Sequence, residues 1–142
     1  MAANWELIKR RERGKEHLLD AVPLSMPALA QAQSILARAA RAGFEWREAG
    51  DILQKIREEL RELAETRSPA ERLAEFGDLL FALTSLARRL DVDAEEALRL
   101  ATRKFRERFA RMEALASERG RMLDSLSLSE LIGLWNEVKG AV

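Results

Sequence analysis

The chain of 142 residues contains no cysteine. That excludes disulfides, iron–sulfur clusters and thiolate zinc sites. It contains a single histidine, His17, so a multi-histidine metal site within one chain is also excluded. It has no excess of either charge, since 24 basic and 24 acidic residues leave a net charge of zero. A duplex nucleic-acid binder carries a basic excess or stripe. Here the cations are scattered among acids, apart from Lys9 to Lys15, and no nucleic-acid partner is expected. No apolar run is long enough to span a membrane. The segment from Met1 to Lys15 is too polar for a signal peptide. The expectation is a cytoplasmic protein with no membrane partner. Repeats, low-complexity tracts and long linkers are also missing.

What is present is helical. Hydrophobic residues make up 47% of the chain and charged residues 34%, a balance that favours one domain of long amphipathic helices. Residues 1–22 read as a charged, weakly amphipathic arm, and 23–142 as the main domain. In the arm, Arg10, Arg11 and Arg13 read as a solvated face, and His17 as an exposed or partner-contact residue. Ser25 is the expected N-cap of the next helix, with Pro27 in its first turn and Gly43 as its stop. A helix from about Trp46–Glu48 to Thr66 follows, with Leu53, Ile56, Leu60 and Leu63 as its core stripe. Trp46 reads as a packing residue at its start, with lining of the pocket as its second reading. Ser68 with Glu71 forms a capping box with Pro69 at the first helical position. The helix that follows is uncharged from Leu79 to Ala87, the mark of a central helix. Asp93 with Glu96, and Ser127 with Glu130, open two more helices, and Gly120 closes the first of them. The fold class expected is all-α, a four-helix-bundle type with extra N- and C-terminal helices.

Two pairs of acids stand out, Glu59 with Glu62 and Glu75 with Asp78, with Glu58 beside the first. Residues three apart on a helix share a face. The Ser/Pro turn between the pairs lets their helices fold back antiparallel. On its helix Glu59 sits at the border of the core stripe, and Lys55 lies one turn before it. Glu75 falls in line with Ala82 and Leu86, where core residues point. A carboxylate in that register must be paired, protonated or metal-bound. Crowded carboxylates repel unless a hard cation lies among them, and oxygen ligands select Mg²⁺, Mn²⁺ or Ca²⁺. Mg²⁺ in turn suggests a phosphate-bearing ligand.

Glu59-x-x-Glu62, twelve intervening residues, then Glu75-x-x-Asp78 resembles the all-α nucleoside triphosphate pyrophosphohydrolases of the MazG family. Further segments extend the likeness. Leu24-Ser-Met-Pro-Ala-Leu29 and Gly43-Phe-Glu-Trp46 resemble the family's entry helix. Gly77-Asp-Leu-Leu-Phe81 and Leu86-Ala-Arg88 resemble its central helix. Lys104-Phe-x-x-Arg108-Phe109 resembles its phosphate-contacting helix, and Trp135 and Lys139 its closing segment. Each motif alone is weak, whereas the ordered set is specific. It covers nearly the whole chain and looks most like the C-terminal domain of two-domain members.

The resemblance implies hydrolysis of nucleoside triphosphates to monophosphate and pyrophosphate with Mg²⁺, for which Mn²⁺ can substitute. It also implies a homodimer whose bundle is completed across two chains. Carried over by position, Glu59, Glu62, Glu75 and Asp78 are the implied metal ligands, and Glu58 is the extra acid of the first helix. Lys55, Lys104 and Arg108 match phosphate contacts, and Trp135 and Lys139 match nucleoside contacts. A carboxylate left free by the metal can take a proton from water, with Glu58 the first choice and Glu59 the second. The chain departs from the family at Ala74, where many members have Glu, and at Ser85 and Thr102, where Asn is common. Those departures keep open a nucleotide-sensing or regulatory helical dimer with weak or no turnover. A purely structural helical dimer is a third reading. A di-iron bundle normally uses Glu-x-x-His pairs, which this sequence lacks.

Overall fold

A computed structural model describes residues 4–8 and 17–140, and every regular element in them is helical. Five α-helices follow in order: α1 Ala28–Arg41, α2 Ala49–Ala64, α3 Pro69–Arg89, α4 Ala94–Glu118 and α5 Leu128–Lys139. Short 3-10 turns occupy Leu18–Ala21 and Leu123–Ser125, and residues 4–8 are helical. The all-α expectation holds. The arginine cluster at 10, 11 and 13 lies outside the described residues. Among the described residues, no helix is long and apolar enough to cross a membrane. Residues through Glu95 form one compact unit, and those from Glu96 onward form a second.

Local chemistry sets most boundaries. Ser68 Oγ accepts from Glu71 N at 3.2 Å, with Pro69 at the first helical position of α3. Ser127 and Glu130 exchange both bonds of a capping box at α5 (3.2 and 3.0 Å). Gly43 (φ 96°) and Gly120 (φ 70°) turn the chain left-handed after α1 and α4, a conformation glycine adopts without steric cost.

The start of α1 corrects the sequence reading. Its N-cap is Pro27, not Ser25, and no side chain within the turn caps it. Instead the Glu95 carboxylate, from the far side of α3, accepts from Ala30 N at 3.1 Å. Gln33 completes the link, donating to Val92 O (2.8 Å) and accepting from Ala94 N (2.9 Å). Glu6 of the arm pairs with Arg38 of α1 at 2.6 Å.

In the first unit, α3 packs on both α1 and α2. Its core joins Ile52 and Ile56 of α2 to Leu79 and Ala82 of α3, with Leu63 and Leu86 against them. The α2 stripe is therefore rotated from the one expected. Ile56 and Leu63 keep their place, but Leu53 and Leu60 are 43% and 50% exposed. The buried line is Ile52, Ile56, Glu59 and, half-buried, Leu63. Apolar residues occupy two adjoining faces of this helix, and contact with α3 selects one of them. The second unit has its own core of Met112, Ala116, Leu134 and Val138, where α4 meets α5.

Candidate active site

The buried lines of α2 and α3 follow the same spacing. On α2 it runs 52, 56, 59, 63 and on α3 75, 79, 82, 86, each at i, i+4, i+7, i+11. The four residues Glu65–Ser68 reverse the chain, so the two lines meet antiparallel. One acid sits in each line, Glu59 in the first and Glu75 in the second. Glu62 lies three residues after Glu59. One carboxylate oxygen from each of Glu59, Glu62 and Glu75 lies within 4.8 Å of the other two.

Glu59 is only 3% exposed. Its Oε1 accepts from Lys55 Nζ at 2.7 Å, one helical turn back. Its Oε2 is buried without a hydrogen-bond partner, and so is Oε2 of half-buried Glu75. Burial, then the charge and hydrogen bond of Glu62, then the charges of Asp78 and Glu59, hold the Glu75 carboxyl above the usual carboxylate range. Lys55 is held above its ordinary value by its hydrogen bond to Glu59, then by that residue's charge. The single ammonium leaves the cluster net negative. Buried carboxylate oxygens without donors are costly. An all-oxygen, anionic donor set of this kind fits a hard divalent cation.

Asp78 lies outside the triplet, one turn after Glu75. It lines a cavity of about 570 Å³ together with Glu59 and Lys55. Its lining also includes Phe44 and Trp46, from the segment after α1, and Phe81, Ala82, Ser85 and Arg88 of α3. Trp46 lines this cavity, the second of its two sequence readings. Phe44, Phe81 and Arg88 were missed as site residues, although all three fall inside the quoted motifs. Their signal was the motif, but a helix register alone does not tell a cavity wall from a core face. Glu58 is half-buried beside Glu59 on α2.

Four more of the expected residues belong to the second unit. Lys104 is exposed and Arg108 half-buried, one turn apart on α4. The Arg108 guanidinium lies 5.5 Å from the Trp135 ring centroid, within cation–π range, and its Nε is buried without a hydrogen-bond partner. Phe105 sits 5.5 Å from the same indole. Trp135 also packs against the second core, so it anchors α5 as well. Lys139 is exposed in the last turn of that helix.

The sequence matches the phosphoribosyl-ATP pyrophosphohydrolase family over residues 33–105. It is 45% identical over 139 residues to a Thermotoga maritima protein, the nucleoside triphosphate pyrophosphohydrolase/pyrophosphatase MazG. That match takes in 96% of this chain and 54% of the relative. It is 39% identical over 145 residues to the nucleoside triphosphate pyrophosphohydrolase of Escherichia coli K12, across 96% of this chain and 55% of that protein. It is 43% identical over 143 residues to YabN of Bacillus subtilis, where it spans 29% of the relative. The chain thus spans about half the length of the two named pyrophosphohydrolases, and less of YabN.

Proposed function

Since the chain belongs to the MazG family of nucleotide pyrophosphohydrolases, we propose that it cleaves nucleoside triphosphates to the monophosphate and pyrophosphate. The observation that carries this reading is the carboxylate triplet with two buried, partnerless oxygens. In this proposal Glu59, Glu62, Glu75 and Asp78 hold Mg²⁺, for which Mn²⁺ can substitute. The cation, when bound, neutralises phosphate charge and makes the phosphorus more electrophilic.

The side chains divide the remaining work. Glu58, on the half-buried flank of α2, takes the proton from the attacking water, with Glu59 as second choice. The Lys55 ammonium is kept charged and fixed by Glu59, ready for a phosphate oxygen. Lys104 and Arg108 steady the pyrophosphate as it gains charge on leaving. Trp135 and Lys139 contact the nucleoside. Residues 23–142 form the catalytic domain and 1–22 an arm.

A homodimer completes the bundle. In support, α3 exposes Leu73, Phe76, Leu80 and Leu83, spaced along one face. Removal of non-standard or surplus nucleotides in the cytoplasm is the cellular role proposed. The test is phosphorus NMR of each triphosphate incubated with protein and Mg²⁺. Monophosphate and pyrophosphate are expected, and these are to vanish in Asp78→Asn. Orthophosphate as the sole inorganic product refutes the proposed bond cleavage.

A further inference from the structure

Phe105 and Arg108 are three residues apart on α4, so they share a face of that helix. Trp135 of α5 meets both. The guanidinium carbon of Arg108 lies 5.5 Å from the indole centroid, within cation–π range. The Phe105 ring lies 5.5 Å from the same indole, tilted at 40° to it. Phe109, one turn on, stacks on Phe105 at 6.0 Å. The indole also packs against the core of Met112, Ala116, Leu134 and Val138, which fixes it in place.

Other arginines of this unit are held by acids. Arg99 pairs with Glu96, Arg119 with Glu137 at 2.9 Å, and Arg121 with Glu130 at 3.5 Å. Among the described residues no carboxylate pairs with Arg108, and its Nε is buried without a hydrogen-bond partner. The two kinds of partner do different things. A carboxylate orients a guanidinium but cancels its charge. An aromatic face orients it and leaves both the charge and the in-plane N–H groups for an anion. A buried donor without an acceptor is costly, and a phosphate oxygen would satisfy it. We propose that Trp135, braced by Phe105, is a positioning residue for Arg108. It sets the guanidinium for the pyrophosphate end of the substrate, a role separate from its contact with the nucleoside. The proposal rests on the triphosphate reading above.

The test is calorimetric titration of wild type and variants with pyrophosphate in Mg²⁺. Pyrophosphate carries no nucleoside, so a nucleoside contact from Trp135 cannot alter its binding. Trp135→Leu keeps an apolar packing group and removes the ring face. It is expected to weaken pyrophosphate about three- to tenfold. Trp135→Phe keeps a ring face and should stay within about twofold of wild type. In an Arg108→Gln background, Trp135→Leu should cost less than about twofold more. A full loss in that background overturns the proposal, because the indole would then act through the fold and not through Arg108. So does a Trp135→Phe variant that binds as poorly as Trp135→Leu, and so does a Trp135→Leu variant that binds as well as wild type. Phe105 is 56% exposed. Where Trp135→Leu does not fold, Phe105→Leu carries the same cycle, with a loss of about threefold expected and the same results overturning it. Pyrophosphate that fails to bind wild type, or binds Arg108→Gln as tightly, overturns this inference and leaves the proposed bond cleavage standing. Wild type that releases no pyrophosphate from any triphosphate, by phosphorus NMR, removes the proposed function and this inference with it.

Discussion

Glu59→Gln isolates the charge of the acidic triplet from its shape. The amide keeps the size of the side chain, and its oxygen can still accept from Lys55 as Oε1 does at 2.7 Å. It removes one of three negative groups whose oxygens lie within 4.8 Å of one another. Two unit charges at that separation repel by about 3.5 kcal/mol at an effective dielectric of about 20. Glu62 is exposed, so water screens its share. The substitution also gives up the charge of the ion pair with partly exposed Lys55, so gain and loss offset to within about 1 kcal/mol. For a chain of this size each kcal/mol moves the melting midpoint by about 3 °C. In chelator, Glu59→Gln should therefore melt within about 3 °C of wild type. With Mg²⁺ at a hundred times its dissociation constant, wild type should gain about 2.7 kcal/mol, or about 8 °C. The variant, missing a ligand, should gain less than about 3 °C at the same Mg²⁺ concentration. The assay is differential scanning calorimetry of both proteins in chelator and in Mg²⁺. Equal Mg²⁺ shifts in the two proteins would refute the reasoning.

Three other outcomes are expected. Burial and the neighbouring acids raise the Glu75 carboxyl in the folded protein, so the native state holds that proton to higher pH than the unfolded chain does. Its contribution to metal-free stability is therefore full below the unfolded carboxylate pKa and lost as pH rises through the raised folded value. Urea midpoints in chelator should show wild type falling relative to Glu75→Gln across that window, and a gap that stays constant with pH would contradict this. Ser68→Ala removes the cap at Glu71 N and should cost about 1 kcal/mol by chemical denaturation. Glu95→Ala strips the acceptor from Ala30 N and should cost about 1 kcal/mol. That loss should come with faster amide exchange at residues 28–31, and unchanged exchange there would rule out the capping role.

The features legible in the sequence are those decided within one turn of helix. Ser127 and Glu130 are three residues apart, and their two bonds follow from that spacing. Ser68 caps Glu71 N in the same way, but the return bond of the expected box does not form, because the Glu71 carboxylate accepts from Arg67 N at 2.8 Å instead; the turn at Gly120 was legible too. The in-line register of Glu75 with Ala82 and Leu86 was also readable, and it put this acid on the core side of α3. What escaped was decided by distant partners. Glu95 caps α1 from 65 residues away. Ile52 and Leu53 are adjacent apolar residues, and only the presence of α3 buries the first and leaves the second open. Glu59 then falls inside the packed line instead of at its border. Phe44 lines a cavity from a loop that Arg88 and Arg89 tether.

The fastening of α1 by Gln33 and Glu95 makes the two ends of the first unit answer to each other. Lengthening the short connector around Val92, a change that looks harmless on an exposed stretch, would withdraw the Glu95 carboxylate, the Val92 carbonyl and the Ala94 N–H from their partners on α1. The damage would show at residues 28–33, at the opposite end of the primary structure of that unit. Tolerance to insertion here is therefore set by a clasp, not by solvent exposure.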